Sequence, residues 1–267
     1  DSPEPWTVED VLAIGRLAGA DVNWLVWFEL LPLRDEEDWP AIWRRALERG
    51  GAAPVSITGP GNQRAGRVLH GLIHLFGKTG SNSVAVTAER SAGKGALMAT
   101  DPHLGVSLPN LWIMAGIHTP RFRAVGFMPA GLPFLAIGRN RHVAWSGTNL
   151  RAASSDLVKL PDDAELRTEE SPLAVRFWFD DTAMVRMSDW GPVISDAPHW
   201  PAEDGAAVAL RWMGHRPSDE VGAFLEVMGA RDFDGFRRAF DSFAVSGQGM
   251  VYADAEGHAG LGTAARP

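Results

Sequence analysis

Apolar positions change their period once along the chain, near residue 80. Before that point Val11, Leu12, Ile14, Leu17, Ala18 and Val22 recur at helical spacing within PWTVEDVLAIGRLAGADVNWLVWFELL. Thr7 is placed to cap this helix, with Glu9 and Asp10 in the first turn, where the helix dipole favours acids. A second helix is predicted from about Glu36 to Arg49, closed by Gly50 and Gly51. GAAPVSITGPGNQRAGR then reads as a loop. From Ser81 onward short runs of strand-like composition take over: SVAVTAE, ALMAT, LWIMAGIHT, RAVGFM, FLAIG, HVAWSGT, DLVKL, AVRFWF, TAMVRM and AVALRW. Helices are predicted again near Ser218–Met228 and Phe233–Phe243, and GMVYADAEGHAGLG reads as two strands about a Glu-Gly turn. Helices, then strands, then helices predict an α+β fold of layered sheets with helices outside.

Composition narrows the function. With 267 residues, 45% apolar and 22% charged, the chain has material for a sizeable core. Its net charge of −8, with no basic run, argues against non-specific nucleic-acid binding. There is no cysteine, so disulfides, thiolate metal sites and cysteine nucleophiles are excluded. No uninterrupted apolar run reaches the roughly 18 residues of a spanning helix, so no membrane partner is expected. The start at Asp1, without methionine or a signal-like segment, is expected of a piece cut from a longer precursor.

Most familiar chemical motifs are missing. His70 and His74 share a helix face at i, i+4, but HGLIH lacks the glutamate of a hydrolytic zinc motif, which leaves a plain amphipathic helix. Neither a phosphate loop nor GxSxG occurs. What remains is GKTGSNSVAV, where Gly80 and Ser81 stand at the entrance to a strand. From these residues alone two readings stay open. One is a hairpin turn. The other is a bond made to be broken, because a serine freed at its own N-terminus carries an amine of pKa about 7.7–8.0 that can serve as its base. Glycine before it leaves room for the hydroxyl to attack.

Further landmarks separate the two. GSNSVAV is followed by TDPHLG, WSGTNL, SDWGPVI and GMVYADAEGHAG, in that order. In this order the sequence resembles the penicillin acylase family of N-terminal nucleophile hydrolases, which includes penicillin, cephalosporin and acyl-homoserine lactone acylases. The resemblance implies a four-layer αββα sandwich, complete or lacking strands, with an N-terminal helical segment. It divides the chain into residues 1–80, like the family's α-chain and linker, and 81–267, like its nucleophile-bearing β-chain. Ser81 would attack the Gly80 carbonyl, release its own α-amine, and then attack a substrate amide. Asn82 would hold that terminus, and His103 would orient the amine and hydroxyl. The Leu150 N–H would serve the oxyanion hole. Trp24, Trp27 and Phe28 would line an acyl pocket, and Asp156 would remain from a structural calcium site. The substrate would be a small-molecule acyl amide, the two cleaved fragments would stay associated, and the location would be periplasmic or secreted.

Four departures stand against that pattern. Gly249 takes the place of the asparagine that supplies the family's second oxyanion donor, and Gln248 beside it should point to the other face of a strand. Losing one such donor costs roughly 100- to 1,000-fold in rate. Val84 replaces a usual tryptophan, and Ala153 replaces an acidic residue near Asp156. The chain is also short for the family, so a compact relative or a fragment is expected. Two functions therefore compete: a self-processing acylase, and an acylase-like fold without turnover that serves as a binding module.

Overall fold

A computed structural model describes residues 5–19, 37–40, 80–93, 95–103, 110–150, 154–175, 178–197 and 205–265. The first helix, α1 (Val8–Ala18), begins where the sequence places it. The Thr7 hydroxyl accepts from the Asp10 N–H, and the Asp10 carboxylate accepts from the Thr7 N–H at 2.8 Å, a reciprocal capping box. These bonds hold the Asp10 carboxyl below its ordinary value. Of the second predicted helix only residues 37–40 are among those described, and of these Trp39 and Pro40 are helical. His70 and His74 lie outside them.

The centre of the fold is a six-stranded antiparallel sheet. Its order is β13-β12-β6-β5-β4-β3, from β3 (Trp112–His118), β4 (Arg123–Pro129), β5 (Ile137–Arg139), β6 (Val143–Asn149), β12 (Gln248–Asp254) and β13 (Ala259–Ala264). Alternation along β6 and β12 gives this sheet two different faces. Trp145 and Tyr252 pair across the strands on one face, with Met250 beside them, all at 1% exposure or less. The Trp145 indole N–H donates to the Leu135 carbonyl at 2.9 Å, so a buried polar atom is satisfied. Helices α2 (Glu220–Val227) and α3 (Phe233–Ala239) cover this face with Phe236, which packs on Tyr252 at 5.2 Å between ring centroids. Phe134 and Phe224 stack at 4.6 Å nearby.

The other face carries Ser146, Thr148 and Gly249 and meets a two-stranded sheet of β1 (Gly80–Val86) and β2 (Leu97–His103). Ser146 Oγ donates to Thr100 Oγ1 at 2.5 Å, a polar stitch between the two sheets. Helices, large sheet and small sheet thus form three layers of the expected sandwich. Among the described residues nothing covers the outer face of β1–β2, where Val84 and Leu97 are exposed.

A smaller lobe pairs β7 (Ser155–Lys159) with β11 (Val208–Trp212) and joins β8 (Arg167–Leu173), β9 (Asp181–Ser188) and β10 (Gly191–Pro192). Here one expectation fails. The described residues of AVRFWF are not in a strand: Ala174, Val175, Trp178 and Phe179 lie beyond the end of β8, and Trp178 is 76% exposed. The strand is instead the polar RTEESPL, exposed throughout and, among the described residues, paired with β9 alone. On so exposed a hairpin, backbone pairing decides the strand and apolar content does not.

Candidate active site

Ser81 is the second residue of β1, half-buried, and paired with Pro102 on β2. Strand alternation sends Ser81, Ser83 and Ala85 towards the large sheet, while Asn82 and Val84 face outward. Ser81 opens onto a cavity of about 190 Å³ at the end of the β6–β12 pair. Its walls are largely apolar: Trp112, Leu132, Phe134, Phe224 and Phe243 contribute, with Gly15 and Gly19 of α1 on one side. Both glycines allow close approach. A Cβ at Gly15 would meet Val221 Cγ2 at 3.0 Å, and one at Gly19 would meet the Val245 carbonyl at 2.9 Å.

His103 is not where the resemblance puts it. It lies opposite Gly80 in the register, on the outward face with Asn82 and Asp101, because two strand positions of different parity cannot share a face. Its Nε2 is 2.8 Å from Asp101 Oδ2 and 3.3 Å from Asn82 Nδ2. Nε2 donates to the Asp101 carboxylate in one tautomer and accepts from the Asn82 amide in the other. Asn82, Asp101 and His103 thus lie together on the outward face, beside the Gly80–Ser81 bond.

The oxyanion expectations also change. The Leu150 N–H donates to the Gly247 carbonyl at 2.9 Å, so the β6–β12 ladder runs one step past the Gln248–Asn149 pair. That ladder step occupies the donor expected to face a substrate. Gly249 sits on the face towards β1–β2, where a Cβ would lie 3.3 Å from Thr148 Oγ1. Gln248 occupies the opposite face, as alternation demands, and that is the face of the cavity. Gln248 and Asn149, directly paired across the strands, both line the cavity with Ser81. The Gln248 amide donates to Ser246 O at 3.1 Å and Ser246 Oγ at 3.2 Å. Sequence reasoning misses Asn149, because only the strand pairing places it opposite Gln248.

Arg16 ties α1 to the cavity wall. Its guanidinium donates to Ser218 Oγ at 2.8 Å and to the Ser218 carbonyl at 3.2 Å, and lies 3.4 Å from Glu220 Oε2. The other Glu220 oxygen accepts from Ser218 Oγ at 2.6 Å and from the N–H groups of Ala244 and Val245 at 3.1 and 3.2 Å. The buried carboxylate is therefore fully used in joining three segments around the cavity.

Trp24, Trp27 and Phe28 lie outside the described residues, so the expected acyl-pocket aromatics are not placed. The pocket walls instead come from Phe134, Phe224 and Phe243. Asp156 does not fit a calcium site. It is exposed, faces Arg211 across the β7–β11 pair at 3.8 Å, and belongs to no cluster of three or more His, Asp or Glu among the described residues. Calcium needs six to eight oxygen ligands, and a guanidinium opposes any cation there.

Comparison with known proteins agrees with this architecture. An acyl-homoserine lactone acylase, QuiP, of Pseudomonas aeruginosa is 30% identical over 151 residues, 55% of this chain and 17% of its own. The QuiP of Pseudomonas fluorescens strain Pf-5 is 24% identical over 287 residues, 95% of this chain and 34% of its own. The matched region thus spans about a third or less of these relatives' length. A thermostable penicillin G acylase from Alcaligenes faecalis superposes with a TM-score of 0.59 at 22% identity, over 69% of this chain and 35% of that one, a likeness of fold. The sequence profile of the family described as Penicillin amidase matches residues 1–266, and the chain belongs to that family.

Proposed function

We propose that this chain is a self-processing amide hydrolase that cleaves an amide between an acyl chain and a small amine. One observation carries the reading: Ser81, preceded by glycine in the same strand, opens onto an apolar cavity. In processing, Ser81 Oγ attacks the Gly80 carbonyl, the C–N bond breaks, and water hydrolyses the resulting ester. The products are a Gly80 carboxylate and a free Ser81 amine. In turnover that amine takes the Oγ proton, Oγ attacks the substrate carbonyl, and the proton leaves with the departing amine. Water then releases the acyl group from Ser81. Acyl-homoserine lactones, the substrates named for the relatives, are the first amides to assay.

The fragments 1–80 and 81–267 remain associated in this reading, supported by the Arg16 bonds to Ser218 and Glu220. An exported, periplasmic location is part of the same proposal. The test is the intact mass of freshly purified protein beside Ser81→Ala. Two fragments meeting at Gly80–Ser81, absent from the variant, are expected; one uncut mass in both overturns the mechanism.

A second reading is favoured by the engaged Leu150 N–H and by Gly249. In it the protein cleaves itself but does not turn over, and the cavity binds an acyl group without hydrolysing it. Cleavage without hydrolysis of any acyl amide in the assay would select it.

A further inference from the structure

At the far end of β3 from the cavity lies a second recess, of about 350 Å³. Trp112 opens the strand at the cavity and His118 closes it at the recess, six residues and roughly 20 Å later. Arg121, Arg123, Arg141 and Arg231 converge there with His118 and His142, and no lining residue is acidic. In a chain of net charge −8 this is a local reversal of sign.

The recess is held by a rigid frame. Asn140 donates from its amide to the carbonyls of Met228 and Ala230 at 3.0 and 2.7 Å, and accepts from the N–H groups of His142 and Val143 at 2.7 and 2.8 Å. These four bonds weld the β5–β6 turn to the α2–α3 connection, so Arg141 and Arg231 share one rim. On the other rim Thr119 Oγ1 accepts from the N–H groups of Arg121 and Phe122 and fixes the β3–β4 turn. Arg123 Nε donates to His118 Nε2 at 2.8 Å, which spends one of its donors and leaves its terminal nitrogens. Among the described residues none of the four guanidiniums has a carboxylate within ion-pair distance, although exposed arginines commonly find one.

We propose that this recess is a binding site for a phosphate-bearing ligand. Planar guanidinium forks from two rims match a tetrahedral polyanion, and multiple charge-assisted hydrogen bonds favour phosphate over a monovalent ion. The site is independent of Ser81 and of processing.

Calorimetric titration of the full chain with pyrophosphate, at ionic strength balanced with chloride, tests it. One saturable site is expected, equally in wild type and Ser81→Ala. Arg121→Ala combined with Arg231→Ala should weaken it by roughly tenfold or more. Arg231→Lys, which keeps the charge but not the fork, should fall between. An unchanged melting temperature in chloride shows that the variants fold. No saturable heat, or equal affinity in the folded double variant, overturns the proposal. Cosedimentation with phosphatidylglycerol vesicles identifies the source. Binding that pyrophosphate competes away points to a lipid headgroup, no vesicle binding points to a soluble phosphate compound, and vesicle binding indifferent to pyrophosphate and to the double variant counts against the recess.

Discussion

The Leu150 N–H donates to the Gly247 carbonyl at 2.9 Å, extending the β6–β12 ladder past its last side-chain pair. With that donor engaged, the proposed hydrolysis would gain an oxyanion donor from a side-chain amide at position 249. Gly249→Asn is expected to raise kcat for an acyl amide roughly 100-fold, with Thr148 yielding a few tenths of an ångström to admit the new Cβ. Steady-state kinetics on the cleaved protein decide the matter. A folded, cleaved variant with no gain would sink this account of Gly249.

Glu220 accepts from Ser218, Ala244 and Val245 and pairs with Arg16. Glu220→Ala leaves those buried donors without an acceptor, and a loss of about 3 kcal/mol in urea unfolding is expected. Arg16→Ala should cost less, because its side chain is 25% exposed, yet should speed dissociation of the 1–80 fragment after processing. Size-exclusion chromatography of the cleaved protein checks that separation; fragments that coelute at every dilution contradict it.

The β12–β13 hairpin carries a pH-dependent staple. The Asp254 carboxylate accepts from the Tyr252 hydroxyl and contacts His258 Nδ1, both at 2.9 Å. Burial pushes the Asp254 carboxyl up, but the His258 backbone and side-chain bonds outweigh it and hold it below its ordinary 3.8. The hydrogen bond to Asp254, helped by its charge, raises His258 above 6.5. The histidine's contribution is complete below 6.5 and is lost as pH rises through its raised value; the carboxylate's is present above 3.8 and is lost as pH falls through its lowered one. The stability gap between wild type and His258→Gln should therefore be widest between these two values and close at alkaline pH. Melting curves across that range measure it, and a gap independent of pH removes the staple.

Phe224 stacks on Phe134 and meets Phe240 and Phe243 edge-on while lining the cavity. Phe224→Ala should cost about 3 kcal/mol, at the lower end for aromatic truncation because the ring is half-buried. It should also shift preference towards longer acyl chains, seen as a fall in KM for them relative to short ones. A uniform change across chain lengths would assign the acyl group elsewhere.

Local signals in the sequence were reliable where short-range chemistry decides structure. Thr7 with Asp10 announces the start of α1, and the alternation of GMVYAD with its Glu-Gly turn announces β12 and β13. Motif order was enough for the family because those landmarks are local as well. The legible part stops at register. That the Leu150 N–H would be taken by Gly247, and that His103 would lie across from Gly80 on the outward face, depend on how strands are paired, which no single strand encodes. Asn149 escaped notice for the same reason: its partner Gln248 is about a hundred residues away. The misplaced strand at AVRFWF shows the reverse error, an apolar run read as strand where only the polar RTEESPL finds a neighbour.

Gly80 and Ser81 are consecutive rungs of one ladder, paired with His103 and Pro102. A break between them would cut the chain inside woven fabric and not at a loose thread. The downstream end would stay grafted by its pairs from Asn82 to Val86, so a newborn amine would have no volume to explore before it meets its own hydroxyl. Opposite it, Pro102 has no N–H to offer the ladder. The chain end would be anchored beside its own hydroxyl, a tether short enough to aim.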